Sequence, residues 1–454
     1  MPVKNANTYI SRDIDKALQT WKSDLFRKPL LLRGARQVGK SFAVRNLARS
    51  FDHFIEVDFE AQRDLHSLFD SSLNPASICE QLSLIYEVPI VSGKTLLFFD
   101  EIQGCLNAIS SLRYFYEKMP DLHIISAGSL LEFALQDLSS FGVGRVRSLF
   151  VYPFSFTEFL LACGQTQIAE LIKNASATHP IPDLVHKKII TSYKRFMAIG
   201  GMPEVVAKYV TSGNMLDCMS IIDDLVISYQ DDFAKYKGLI PAQRIREAFD
   251  AVVLQAGGKF VYAKAALASD PRQIRVAVDL LILAGLVIPV THTSANGIPL
   301  GAEVDPKKRK MILFDTGIFQ RLLGLNIGEL MMSDSFEVIN KGALAEMSVG
   351  LELMKLSSPH RRDSLYYWHR ETASGNAEVD YVIQKEEKII PIEVKSGQRG
   401  SMQSLQVFLK EKKLDEGIRI SLENFGKYQN IRTIPLYAVS GLANQNSDND
   451  AHPK

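Results

Sequence analysis

The sequence predicts an α/β protein of more than one domain, and three observations carry that reading. Over the first 160 residues, short apolar runs, several ending at a glycine or an acid, alternate with stretches of helical periodicity. This is the pattern of a parallel sheet buried on both faces. Towards the C-terminus, three strand-like runs bounded by turn residues sit between two helical stretches. A chain of 454 residues is also too long for one hydrophobic core.

The balance of 46% hydrophobic and 23% charged residues is that of a soluble globular protein. A formal net charge of +1 excludes a globally basic nucleic-acid coat, though not a local basic patch. Cys79, Cys105, Cys163 and Cys218 form no CxxC pair, so neither a zinc site nor a disulfide framework is indicated. Such usage fits a reducing, cytoplasmic setting. The N-terminus lacks a signal-peptide core and no apolar run reaches ~18 residues, so no membrane span is expected. The run Leu280–Val290 reads as a buried helix-to-strand segment, and the polar tail 443–454 as disordered.

The first element with chemical content is the apolar run Pro29–Leu32, which leads into Gly34, Ala35, Arg36, Gln37, Val38, Gly39, Lys40 and Ser41. Helical periodicity follows from Phe42. Strand, GxxxxGK[ST] loop and helix are the context of a phosphate-binding P-loop. Backbone N–H groups and the helix N-terminus face phosphate oxygens there. Lys40 is expected at the β- and γ-phosphates, and Ser41 on Mg²⁺. Strands are predicted at Phe54–Phe59, Thr95–Asp100, His123–Ser126 and Ser148–Tyr152. Asp100 ends its strand where a second acid can hold Mg²⁺ through water. Glu101 follows where a carboxylate can orient and deprotonate an attacking water. No NKxD motif is present, which favours ATP over GTP.

LLLRGARQVGKS, LLFFDEIQ, SAGSL and VYPFSFTEFL together resemble the AAA+ superfamily ATPases of bacteria and archaea that carry a C-terminal domain of unknown function, number 4143. The resemblance covers nearly the whole chain. It implies that Ser129 is the polar γ-phosphate sensor after the fourth strand, and that Arg145 matches the family's Gly-Arg pair. A cation near the γ-phosphate would stabilise the transition state. Arg145 could act within its own subunit, act on a neighbour in a homo-oligomer, or be structural. Arg36 in the loop is a second candidate.

Residues 161–240 read as helical, with Leu171, Ile189, Phe196 and Leu225 in the core and AIGGMPEVV as a tight turn opening a helix. Residues 241–325 read as a winged helix: three helices ending with Pro271–Ala284, then strands Leu286–His292 and Lys310–Phe314. Arg272, Gln273 and Arg275 lie early in the third helix, where such folds meet DNA. Lys307, Lys308, Arg309 and Lys310 sit on the wing. Packing of the module and a solvated basic edge are the competing reading.

Residues 335–442 read as a helix Ile339–Lys355 containing Glu346, strands Leu365–His369, Ala377–Gln384 and Ile389–Lys395, a helix Ser401–Glu411 and a strand Gly417–Ile420. Glu393 and Lys395 are two apart and share a sheet face. Asp380 on the paired strand faces the same place, and Glu346 can add a ligand. Converging carboxylates and a lysine suit Mg²⁺-dependent phosphodiester cleavage. The element order and Asp380…Glu393-Val394-Lys395 resemble the PD-(D/E)xK nuclease core, which implies a restriction-endonuclease-like α/β domain. Pro391 suggests an edge strand. Two functions stand side by side. One is an ATPase coupled to metal-dependent cleavage of DNA or another nucleic acid. The other is a nucleotide-gated switch whose C-terminal domain grips DNA or a protein without cutting.

Overall fold

The computed structural model describes residues 9–138, 144–236, 240–266, 270–324, 341–356, 358–372, 375–397 and 402–443. The tail beyond 443, and the expected helix starts at Ile339 and Ser401, lie outside the described residues. The chain divides into two compact units. The first is Met1–Pro153 with Leu283–Gly285 and Ser358–Arg362; the second is Phe154–Ile282, Leu286–Ser357 and Asp363–Lys454.

In the first unit, strands β1 (Leu30–Arg33), β2 (His53–Asp58), β3 (Thr95–Asp100), β4 (His123–Ala127) and β5 (Arg147–Phe150) form one sheet in the order β2-β3-β4-β1-β5. Every pairing is parallel. All six residues of β3 and all five of β4 are buried, as strands covered by helices on both faces require. Under one face, Phe59, Phe69, Phe99 and Phe115 meet edge-on with centroids 5.3–6.2 Å apart. Such pairs contribute about 0.5–1.5 kcal/mol each beyond area burial. This core holds β3 rigid up to Asp100.

The second unit begins with helices Phe156–Ala162, Thr166–Asn174, Asp183–Ile199, Pro203–Ser212 and Met219–Asp232. Ile189, Phe196 and Leu225 are core residues, but Leu171 is 37% exposed. The short helix Thr166–Asn174 buries Ala169 and Ile172 instead, a face rotated by one position. Eight strands follow: β6 (Val287–Thr293), β7 (Val304–Leu313), β8 (Leu365–Thr372), β9 (Gly375–Lys385), β10 (Lys388–Val394), β11 (Gly417–Ser421), β12 (Gly426–Tyr428) and β13 (Ile431–Pro435). They make one sheet, ordered β12-β13-β11-β10-β9-β8-β6-β7.

Three expectations change here. The helices Ala242–Leu254, Tyr262–Ala265 and Pro271–Leu283 do precede an antiparallel β6–β7 pair. That pair does not stand apart from the C-terminal strands, because β6 also pairs parallel with β8. The strands on either side of the division expected between 325 and 335 therefore share one sheet. The basic run is not a uniformly solvated wing either: it lies within β7, where Lys307 is exposed and Lys310 is buried. Finally, β10 is interior, paired with β9 and β11. Pro391 is accommodated because pairing with β11 begins only at Ile392. The order helix Lys341–Lys355, three strands, helix Gln403–Lys412 and strand β11 is as expected.

Asp315 ties the second unit's helices to this sheet. Its buried carboxylate follows β7 and caps the helix Thr316–Leu322, with Oδ1 accepting from Gly317 N (2.9 Å) and Ile318 N (3.0 Å). Oδ2 accepts from Gly201 N at 2.7 Å. This explains the paired glycines of AIGGMPEVV. Gly200 has φ 77°, and a Cβ there would lie 2.2 Å from Asp315 Oδ1. A Cβ on Gly201 would lie 2.4 Å from Phe154 O. Burial pushes the Asp315 carboxyl up, and the three N–H donors oppose it. Asp315→Ala leaves three buried donors unsatisfied and should cost about 3 kcal/mol or more in urea unfolding, with Asp315→Asn losing less. An alanine variant as stable as the parent would remove Asp315 from this role.

Candidate functional site

The loop between β1 and the helix Lys40–Ala48 closes as the P-loop pattern predicts. Gly39 caps the helix in the left-handed region at φ 93°, where a side chain would be strained. Gln37 also has positive φ, 62°. Ala35 and Val38 are buried, while Gln37 and Phe42 are exposed. Lys40 is folded onto its own loop, its Nζ donating to Gly34 O (2.9 Å) and Ala35 O (2.7 Å). Burial lowers its ammonium to about 8, although Glu101 and Asp100 favour the charged form. Ser41 Oγ donates to Asp100 Oδ2 at 2.6 Å. Burial raises Asp100 to about 6, the Ser41 bond opposes this, and the Glu101 charge adds to it.

Glu101 sits just past β3 in the left-handed region, φ 46°. Its Oε2 accepts from Gln103 Nε2 (2.5 Å), Ser129 N (3.1 Å) and Ser129 Oγ (3.0 Å). Lys40, Ser41, Asp100, Glu101 and Ser129 are thus linked at one end of the parallel sheet. Arg145 is engaged by Glu117, with Nε to Oε1 at 2.5 Å. Arg36 is close enough to lower the Lys40 value through charge repulsion. Sequence reasoning missed Arg12, whose guanidinium donates to Val38 O (3.2 Å) and Tyr152 O (2.7 Å), bracing the loop from behind. It also missed Gln103. A lone arginine and a lone glutamine in the sequence carry no signal of either contact.

Mg²⁺ with a nucleotide triphosphate fits these residues. The hydroxyl of Ser41 and the carboxylate of Asp100 already touch, as two groups sharing one hydrated Mg²⁺ must. The lysine ammonium lies against the loop whose N–H groups precede a helix N-terminus.

The second unit collects the other predicted residues. Asp380 Oδ2 accepts from Val394 N at 2.8 Å, and Glu393 Oε1 accepts from Lys395 Nζ at 2.6 Å. Two residues that sequence reasoning did not name in this role join them. Lys310 Nζ, from β7, lies 3.2 Å from Glu346 Oε2 and 3.7 Å from Asp380 Oδ1, and also pairs with Glu378. Burial would lower the Lys310 ammonium, but Glu346, Asp380 and Glu378 outweigh it and push it up. Burial and the Asp380 charge raise Glu346 to about 8 and Glu393 to about 7. Gly350 leaves room for Tyr381, whose hydroxyl donates to Glu346 O at 2.7 Å. Among the described residues, no group of three or more His, Cys, Asp or Glu is arranged to hold a metal ion.

Residues 26–160 match the family described as an AAA domain. Residues 190–328 match the domain of unknown function DUF8612, and residues 341–439 match DUF4143. No curated protein matches the chain. Among solved structures the chain is similar to the ORC1 protein of Aeropyrum pernix in complex with DNA, at 11% identity over 70% of this chain and 93% of that one, TM-score 0.28. It is similar to a signal transduction ATPase with numerous domains and a tetratricopeptide repeat sensor from Pyrococcus horikoshii, at 10% identity over 79% and 48%, TM-score 0.26. It is also similar to Drosophila ORC bound to DNA, at 13% identity over 69% and 85%, TM-score 0.26. No helix among the described residues is long and apolar enough to cross a membrane.

The raised Glu346 carboxyl makes a pH prediction. Its ordinary value is 4.5 and its folded value about 8, so folding takes up a proton. The stability it contributes is fully present below its ordinary value and is lost as pH rises through the folded one. Unfolding free energy measured across that window should fall with pH in the parent and fall less steeply in Glu346→Gln. Identical slopes would mean that Glu346 titrates normally.

Proposed function

We propose that this protein binds Mg²⁺-ATP at the P-loop and hydrolyses it, and that the second unit grips DNA, another phosphate polymer or a protein without cutting it. The observation that carries the first half is the 2.6 Å contact between Ser41 and Asp100 beside the buried Lys40. The match to an AAA domain supports it. The loop Gly34–Ser41 and the start of its helix at Phe42 would cradle the phosphates. Lys40 would exchange its loop carbonyls for β- and γ-phosphate oxygens. Mg²⁺, held through Ser41 and Asp100, would neutralise charge between the phosphates. Glu101 would take the proton of the attacking water, and Ser129, which now holds that carboxylate, would position it. Arg145 and Arg36 are the candidates for charge on the γ-phosphate side.

The second half rests on Lys310. Its ammonium stands among the carboxylates that a nuclease would give to its metal. That observation favours the gripping module over metal-dependent cleavage by Glu346, Asp380, Glu393 and Lys395. Arg272 and Arg275, exposed on the helix Pro271–Leu283, are the residues proposed for a DNA contact, with Gln273 beside them.

Lys40→Ala should abolish tight ATP binding, because the phosphates lose their main point charge. Calorimetric titration with a non-hydrolysable analogue measures this, and unchanged affinity would overturn the site. Glu101→Gln should keep binding and slow steady-state hydrolysis by about a hundredfold or more, since an amide cannot accept the proton. Asp100→Asn should instead raise the Mg²⁺ concentration needed for half-maximal rate. Turnover at the parental rate in Glu101→Gln would assign the base elsewhere.

A further inference from the structure

Three donors converge on a single oxygen of Glu101. Gln103 Nε2 (2.5 Å), Ser129 N (3.1 Å) and Ser129 Oγ (3.0 Å) all donate to Oε2. Oε1 accepts no hydrogen bond among the described residues, and it is not enclosed. The backbone is bent to allow this. Glu101 has φ 46°, which is unfavourable for a residue with a Cβ, and the tight turn Ile102–Gly104 follows at once. Ile102 is buried in the same core as Phe59 and Phe99, which fixes the turn and so the root of the Gln103 side chain.

Gln103 is held there against a cost. Its Oε1 is buried and has no hydrogen-bond partner among the described residues. The amide gains nothing by turning over, because its oxygen would then face the carboxylate. It lies against Gly128, the residue before Ser129, where any Cβ would collide with that oxygen. The room this amide takes thus explains the glycine of SAGSL. An unpaired buried oxygen is unfavourable, and what offsets it is the charge-assisted bond from Nε2 to Glu101.

We propose that Gln103 is a positioning residue for ATP hydrolysis: with Ser129 it gathers Oε2 of Glu101 and leaves Oε1 as the atom that accepts the proton. The inference rests on the P-loop reading above. In the step itself the water oxygen bonds to the γ-phosphorus, and the bond from that phosphorus to the β–γ bridging oxygen breaks. ADP departs with the electron pair, and a proton of the water passes to Oε1. A carboxylate free to rotate would present either oxygen, or neither, at the distance the transfer needs. The amide on one side and Ser129 on the other remove that freedom.

The test is steady-state ATP hydrolysis by the full chain, set beside calorimetric titration with a non-hydrolysable analogue. Gln103→Ala should lower kcat about ten- to a hundredfold and leave KM and analogue affinity within about twofold, since only the transition state uses the fixed oxygen. Gln103→Glu gives a readout that a packing role would not move. Its carboxyl can donate to Oε2 only when protonated, so its kcat divided by the parent's should rise about threefold or more as pH falls from about 8 to about 6. Lys40 and Asp100, whose charges interact with that of Glu101, are common to both proteins, so their own titration drops out of the ratio. A parental kcat in Gln103→Ala, analogue affinity lost in proportion to kcat, or a flat ratio for Gln103→Glu overturns the proposal and leaves the P-loop reading standing. A parent with no Lys40-dependent turnover overturns the hydrolysis reading and this inference together, so the two failures are told apart.

Discussion

The contact between Ser41 and Asp100 depends on the order of the parallel sheet. β4 lies between β1, which feeds the P-loop, and β3, which ends at Asp100. The register aligns Leu32 with Ala127 on β4, and Phe99 with Ser126, so both strands end at the same level. The intervening end of β4 is made of the small buried residues Ser126 and Ala127. Bulky side chains there would crowd the approach from either side. The aromatic core under β3 then fixes where Asp100 stands, and Arg12 fixes the loop through Val38 O. Converging polar side chains need such support, since a loose shell lets them drift apart.

The two units treat buried acid in different ways. In the first, Asp100 accepts from a hydroxyl and lies near a lysine that donates to carbonyls of its own loop. In the second, Glu346, Asp380 and the partly exposed Glu378 pair with an ammonium from β7. Burying these charges is expensive, and the ion pairs offset much of the cost without making it a net gain. What such a cluster provides is register: β7 can sit only where Lys310 reaches the acids. Asp315, a few residues further on, repeats the device with backbone N–H groups as the donors.

Local patterns reported themselves in the sequence. The glycine loop, the acid pair that closes TLLFFDE and the element order of the C-terminal strands were legible because each depends on residues close together in the chain, with periodicities of 2 or 3.6. The link from Glu101 to Ser129 was legible only as a shared location, and its hydrogen bonds needed coordinates. Leu171 was misplaced because a short helix leaves its buried face ambiguous by one position. Pro391 suggested an edge because the sequence could not show that β11 pairs only beyond it.

The sequence by itself determined where the first site lies, since GARQVGKS and FFDE place a glycine loop, a lysine, a hydroxyl and two acids within two short segments whose backbone geometry is nearly obligatory. Tertiary structure alone decided the character of the second. Lys310 is one of four consecutive basic residues, and nothing local distinguishes it from Lys307, which faces solvent. Only the joining of β6 to β8 brings β7 into the same sheet as β9 and carries that ammonium to Glu346, Glu378 and Asp380. The physical reason is range. Backbone preference acts over a few residues, whereas the pairing that builds this ion cluster joins groups up to 70 positions apart along the chain, from Lys310 to Asp380.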